Sequence, residues 1–132
     1  MSEDNSFKLV QKMHEKFQLS NTKPARLEGE ERDFRIACLQ EELDEFKSSK
    51  SLVDDYDAML DLIVFAMGTI ERMGLPFARG FQVVMACNMQ KELGPNAKRG
   101  GFKNDLVKPA GFIGPEKDLS QITFDVEFDA HV

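Results

Sequence analysis

Apolar positions recur with the rhythm of an α-helix over the first two thirds of the chain. Phe7, Val10, Met13, His14 and Phe17 follow an i, i+3, i+4 spacing and predict a first helix over Ser6 to Leu19 with one buried stripe. Ser20 to Gly29 contains Pro24 and Gly29 and reads as a loop. A second helix is predicted from Glu30 to about Ser49, with Ile36, Leu39, Leu43 and Phe46 on one face. Ser51 followed by Asp54 has the form of an N-cap with an acid in the first turn, so a third helix starts there. It runs to Met73 and stops at Gly74, a C′ glycine. Pro76 suits the first turn of a fourth helix, which runs to about Leu93 and ends at Gly94-Pro95. Between Ala58 and Ile70 the third helix is apolar nearly all round, and such a helix must be covered on several sides, by its own bundle or by another subunit.

Beyond Asn96 the chain is rich in Gly, Pro and Lys and predicts an irregular tail. Ile122, Phe124, Val126 and Phe128 alternate with polar residues and predict one short strand, which must pair with a hairpin partner or another chain. The fold class expected is therefore all-α, one domain over 1–132, with a helical core over about 6–94 and a tail over 95–132. At 132 residues there is apolar material for one core. The longest mostly apolar stretch is the 13 residues from Ala58 to Ile70, against the roughly 20 a membrane span needs. No membrane partner is expected. Met1 to Asn5 is acidic and polar with no apolar signal core behind it, so a cytoplasmic location is the default expectation. Cys38 and Cys87 lie far apart, form no CxxC, and read as small buried residues.

Charge changes this picture. The net charge of −6 argues against nucleic acid as the main partner. It is also unevenly spread: Glu28 to Asp61 holds 12 acids against 4 bases, whereas Lys91 to Lys108 holds 5 bases against 2 acids. Solvated helix faces and a solvated loop are one reading; a metal site beside a phosphate site is the other.

On a helical wheel Glu42 and Glu45 flank the apolar seam of the second helix, one turn apart, with Arg35 beside them, while Glu41 and Asp44 point further toward solvent. Asp54, Asp57 and Asp61 share one face of the third helix with Ala58, Val64, Phe65 and Gly68. The helix dipole accounts for Asp54 and Asp55 in the first turn, but not for Asp61, more than two turns in. A carboxylate on an apolar face is costly unless it is paired or binds a cation. Two adjacent helices thus each offer a carboxylate pair, and oxygen ligands with room for water suit Mg²⁺ or Mn²⁺. A di-iron site wants Glu-x-x-His on two helices, and the sequence has no ExxH. The competing reading keeps Glu42 and Glu45 as surface charges paired with Arg35 or lysines. Mg²⁺ held by few carboxylates commonly takes substrate phosphates as further ligands. Lys91, one turn after Asn88, and the loop residues Lys98, Arg99, Lys103 and Lys108 are the basic groups available for phosphate; no GxxxxGK[ST] loop occurs.

Glu41-Glu42-Leu43-Asp44-Glu45-Phe46, Asp57-Ala58-Met59-Leu60-Asp61-Leu62, Gly68, Gly74, Phe81 and Asn88-Met89-Gln90-Lys91 together resemble the all-α nucleoside triphosphate pyrophosphatases. That superfamily includes MazG-like proteins, dimeric dUTPases and phosphoribosyl-ATP pyrophosphohydrolases. The resemblance runs from about Phe17 to Pro115, and the stretch Asp105 to Phe112 is similar to a single-domain phosphoribosyl-ATP-pyrophosphohydrolase-like branch of phages and bacteria. It implies a four-helix bundle completed by dimerisation, as a homodimer or a dimer of dimers. It also implies two or three Mg²⁺ or Mn²⁺ ions and cleavage between the α and β phosphates. Carried over by position, Glu42 and Glu45 match ExxE and Asp61 the last residue of ExxD, while Ala58 stands where the second Glu belongs and Asp57 substitutes one residue earlier. Asn88 and Lys91 match nucleotide and phosphate contacts.

The expected enzyme converts a (deoxy)nucleoside triphosphate to its monophosphate and pyrophosphate. Glu42, Glu45, Asp57 and Asp61 are its metal ligands, Glu41 or Glu45 the base for the attacking water, and Asn88, Lys91, Lys98 and Arg99 its substrate contacts. Phage relatives that cleave (d)GTP and dATP, the MazZ type, favour a purine and place such a chain in a host cytoplasm. Phosphoribosyl-ATP or a modified nucleotide is the alternative substrate, and a non-catalytic helical interaction module the alternative class. Phe17, Phe77, Phe81 and Phe102 are candidate base stackers, with burial in the core the ordinary reading of each.

Overall fold

The computed structural model describes residues 5–21 and 23–130; the acidic first residues and His131 lie outside them. It is mostly helical, with α1 (Ser6–Lys16), α2 (Gly29–Ser48), α3 (Leu52–Arg72), α4 (Phe77–Asn88) and α5 (Glu116–Ala130), plus strands β1 (Glu92–Leu93) and β2 (Leu106–Val107). No helix among the described residues is long and apolar enough to cross a membrane. The chain divides into two compact units, 1–77 with 129–132, and 78–128.

In the first unit α2 packs along α3, and α1 packs on α3. The three-residue link between α2 and α3 makes them antiparallel neighbours. α1 stops three residues before the expected Leu19. Gln18 takes φ 59°, its N–H donates to the Glu15 carbonyl, and the Leu19 N–H donates to the His14 carbonyl at 2.7 Å. This is a Schellman end built on a non-glycine residue. α3 begins as expected: the Ser51 hydroxyl oxygen accepts from the Asp54 N–H at 3.1 Å. It ends at Gly74, where φ is +70° and an added Cβ would stand 2.5 Å from the Lys23 carbonyl oxygen, so only glycine fits. Arg72 in the last turn of α3 ion-pairs with Glu31 in the first turn of α2 and also donates to the Leu19 carbonyl.

The buried side of α2 departs from expectation. Arg35, Cys38 and Glu42 are its buried residues, while Ile36, Leu43 and Phe46 are exposed. Packing against α3 covers the adjoining stripe 35-38-42 and not the most apolar face. The apolar α3 is not fully covered either, since Leu52, Val53, Tyr56, Leu60 and Ile63 stay exposed. Phe17, Phe81 and Phe102 are likewise exposed and Phe77 half-buried, so none belongs to a fully buried core. Phe77 stacks on Phe7 with centroids 5.3 Å apart. Deeper in this unit His14, Arg35 and Glu71 are buried together around Gly68. His14 Nδ1 lies 3.3 Å from Glu71, and a Cβ on Gly68 would come within 3.0 Å of both His14 and Arg35.

In the second unit α4 ends at Asn88, five residues short of the expected Leu93, because Glu92 and Leu93 pair antiparallel with Val107 and Leu106. The strand expected over Ile122 to Phe128 is instead part of α5. Its alternation also contains a helical stripe: Ile122 is buried, with Leu119 and Val126 half-buried at the spacing of successive turns. Gln121 donates to Asp125 four residues on, at 2.9 Å, and Phe124 stacks on Phe128 with centroids 6.4 Å apart. Glu116 and Asp118 in the first turn, after Pro115, are the start signal the period-two reading overlooked. Cys38 is buried and Cys87 only half-buried; both are free thiols.

Candidate active site

The antiparallel pairing of α2 and α3 brings their acids to one seam. Glu42, two turns beyond Arg35 on the buried stripe, is 6% exposed, and its Oε2 has no hydrogen-bond partner. Burial, a hydrogen-bonding contact with Glu45, and the charges of Glu45, Asp61 and Glu41 together push the Glu42 carboxyl up to about 7. Glu41, Glu42, Glu45 and Asp61 therefore share one electrostatic environment. Glu45 also lines a cleft of about 420 Å³ with Ser48, Ser49, Lys50, Asp54 and Asp57. Asp54, whose place in the first turn the helix dipole also accounts for, thus lines the cleft with Asp57 and Glu45, as the shared face of Asp54 and Asp57 implies.

Neither Glu42 nor Glu45 forms an ion pair among the described residues, so pairing with Arg35 does not explain them. Arg35 lies instead by Gly68 and over the Phe34 ring, 5.8 Å from its centroid. Among the described residues, no three acidic, histidine or cysteine side chains already stand close enough to hold one ion. The carboxylates are neighbours on a seam and in a cleft, not a closed cage.

The basic residues sit in the second unit. Asn88 ends α4, and its carbonyl accepts from the Lys91 N–H at 3.1 Å. Lys98 and Arg99 lie on a single 3₁₀ turn, Ala97–Arg99, capped by Asn96, whose side chain accepts from the Lys98 N–H. The Arg99 guanidinium is engaged: it donates to both oxygens of Asp105, at 2.9 and 2.7 Å. Those bonds and the Leu106 N–H hold the Asp105 carboxyl below its usual range. Arg99 braces the hairpin, and its guanidinium is not free in this arrangement.

A family model described as phosphoribosyl-ATP pyrophosphohydrolase matches residues 10–88, more than half the chain. The chain belongs to the phosphoribosyl-ATP pyrophosphohydrolase family. Membership points to a pyrophosphohydrolase-type hydrolase acting on nucleotide-like substrates. The matched span holds every acid of the seam and reaches Asn88, but stops before Lys91 and the hairpin. A search of the curated proteins finds no match.

Proposed function

We propose that this member of the phosphoribosyl-ATP pyrophosphohydrolase family is an Mg²⁺- or Mn²⁺-dependent nucleoside triphosphate pyrophosphohydrolase. It releases a monophosphate and pyrophosphate from a (deoxy)purine nucleoside triphosphate, dGTP or dATP favoured. The observation that carries the reading is Glu42: a buried carboxyl with an unpartnered oxygen, crowded by three further acids and in no ion pair among the described residues. Such a group fits a hard divalent ion, and Glu42, Glu45, Asp57 and Asp61 are the residues to hold it. When bound, the ion polarises the phosphoryl group and acidifies water. Glu41 or Glu45, both exposed, accepts the proton as the water oxygen bonds to the α phosphorus. The bond from that phosphorus to the bridging oxygen breaks, and pyrophosphate departs with the electron pair. Asn88, Lys91 and Lys98 bind the substrate, with the lysines offsetting charge on the leaving group.

The exposed apolar residues of α2 and α3 support assembly as a homodimer or dimer of dimers. The family description favours a second reading of the substrate, phosphoribosyl-ATP. One panel separates these: dATP, dGTP, dCTP, dTTP, dUTP and phosphoribosyl-ATP, each with Mg²⁺, scored for monophosphate and pyrophosphate. The expected result is preference for dGTP or dATP. A pyrimidine preference overturns the substrate assignment, and no pyrophosphate from any compound leaves a non-catalytic helical module.

A further inference from the structure

The hairpin of the second unit sets two lysines against each other. β1 and β2 pair Glu92 with Val107 and Leu93 with Leu106; one residue further out, the same register places Lys91 opposite Lys108. Like charges directly opposite on a ladder are destabilising. Both ammonium groups also lie over one ring: Lys91 Nζ is 6.0 Å and Lys108 Nζ 5.7 Å from the Phe112 centroid. The backbone is shaped for this. The Phe112 N–H donates to the Pro109 carbonyl at 3.1 Å, and Gly111 has φ +78°. That is a type II turn with glycine at its obligatory position, and it folds Phe112 back toward Lys108.

Neither lysine forms an ion pair among the described residues. Asp105, whose charge acts on Lys91 through space, has both oxygens bound by Arg99. The Arg99–Asp105 bridge therefore braces the hairpin and leaves the two ammonium groups for another anion.

We propose that Lys91, Lys108 and Phe112 form a clamp for the polyphosphate end of the nucleotide, with Lys108 filling the role that sequence position alone suggested for Arg99. This rests on the pyrophosphohydrolase reading above. The ring lies against both ammonium groups and shields them there from water, which strengthens their hold on a phosphate. Two cations over a single ring are within reach of one diphosphate or triphosphate chain, whose adjacent charged groups match a paired clamp better than an isolated carboxylate does.

The test uses the full chain and inorganic tripolyphosphate in EDTA, where the acidic seam has no ion with which to recruit phosphate. Binding is expected, weakening steeply with salt. Lys91→Met, Lys108→Met and Phe112→Leu should each weaken it about tenfold, while Lys117→Met on α5 leaves it unchanged. With Mg²⁺ and a cleaved nucleotide, Lys108→Met should raise KM more than it lowers kcat. A folded Lys108→Met that binds tripolyphosphate like wild type overturns the clamp, and does so while leaving any nucleotide hydrolysis intact. If instead no nucleotide is hydrolysed, yet tripolyphosphate binds and Lys108→Met loses it, the clamp stands and the parent reading falls.

Discussion

Glu31 and Glu42 lie eleven residues apart on α2, and their carboxyls are displaced in opposite directions. Glu31, in the first turn, takes a hydrogen bond from Arg72, and that contact holds it below the ordinary value of 4.5. Glu42, in the middle, is buried beside Glu45, Asp61 and Glu41 and is pushed up to about 7. The helix and the residue type are the same; the neighbours differ. At the first turn a cation from α3 satisfies the acid, so the pair serves the fold. On the seam α3 contributes another acid, so the crowd is an unfavourable arrangement of the bare protein, waiting for a cation from solution. A carboxylate that stabilises architecture and one kept for chemistry are told apart by what the facing helix supplies.

Removing each charge breaks the comparison most directly. Glu42→Gln and Asp61→Asn should each lower pyrophosphate release by on the order of a hundredfold or more, with helicity by circular dichroism unchanged. Glu31→Gln, by contrast, should stay within about twofold of wild type, since its partner Arg72 anchors α3 and not substrate. Near-full activity in both Glu42→Gln and Asp61→Asn would mean that the seam acids are not the ligands.

How much of this the sequence revealed depends on the range of the signal. The start of α3 at Ser51 and its stop at Gly74 are local events, a side-chain cap and a φ only glycine tolerates, and both were legible. The stop of α1 at Gln18 was not, because a Schellman end on a non-glycine residue leaves no compositional mark. α5 was misread because Ile122, Phe124, Val126 and Phe128 satisfy two periods at once, and Pro115 with its following acids was the deciding cue. The acids of the seam could be named from spacing, yet the buried stripe of α2 could not: which face is covered is decided by how α2 packs on α3, and the apolar period of α2 alone does not fix it. The Arg99–Asp105 pair was not legible either, since a loop has no period to show which acid, here one six residues away, a basic side chain meets. The opposition of Lys91 and Lys108 emerges only when the register of two short strands is known.

The opposite displacements also predict opposite pH dependences. Glu42 has a folded value above its unfolded one, so its contribution to stability is fully present below about 4.5 and is lost as pH rises toward about 7. Metal-free Glu42→Gln should therefore gain on wild type in thermal midpoint across that window and stay ahead above it. Ion binding selects the ionised carboxylate, so Mn²⁺ added near pH 6 should displace a proton. Calorimetry in two buffers of different ionisation enthalpy reads this directly: the apparent enthalpy of Mn²⁺ binding should differ between them for wild type and much less for Glu42→Gln. Equal enthalpies in both buffers for wild type would show that Glu42 is already ionised there, and the crowded seam would lose its meaning.

The smallest effect belongs to the paired acid. The Glu31–Arg72 bridge is partly exposed, its side chains retaining 37% and 23% of their accessibility, and pairs of that kind contribute about 0.5–1 kcal/mol. Its folded value is depressed, so its stabilisation is present above the unfolded value of 4.5 and is lost as pH falls through the lower folded one. Glu31→Ala should therefore unfold slightly earlier than wild type in denaturant at pH 7, and the gap should close in acid or in molar salt. Arg72→Ala removes the same bridge but also the donor to the Leu19 carbonyl, so it should be the more harmful of the two, and the excess should survive both acid and salt. If the Glu31→Ala deficit also survived them, its origin would be packing at the start of α2, and the first turn would no longer serve as the electrostatic counterpart of the seam.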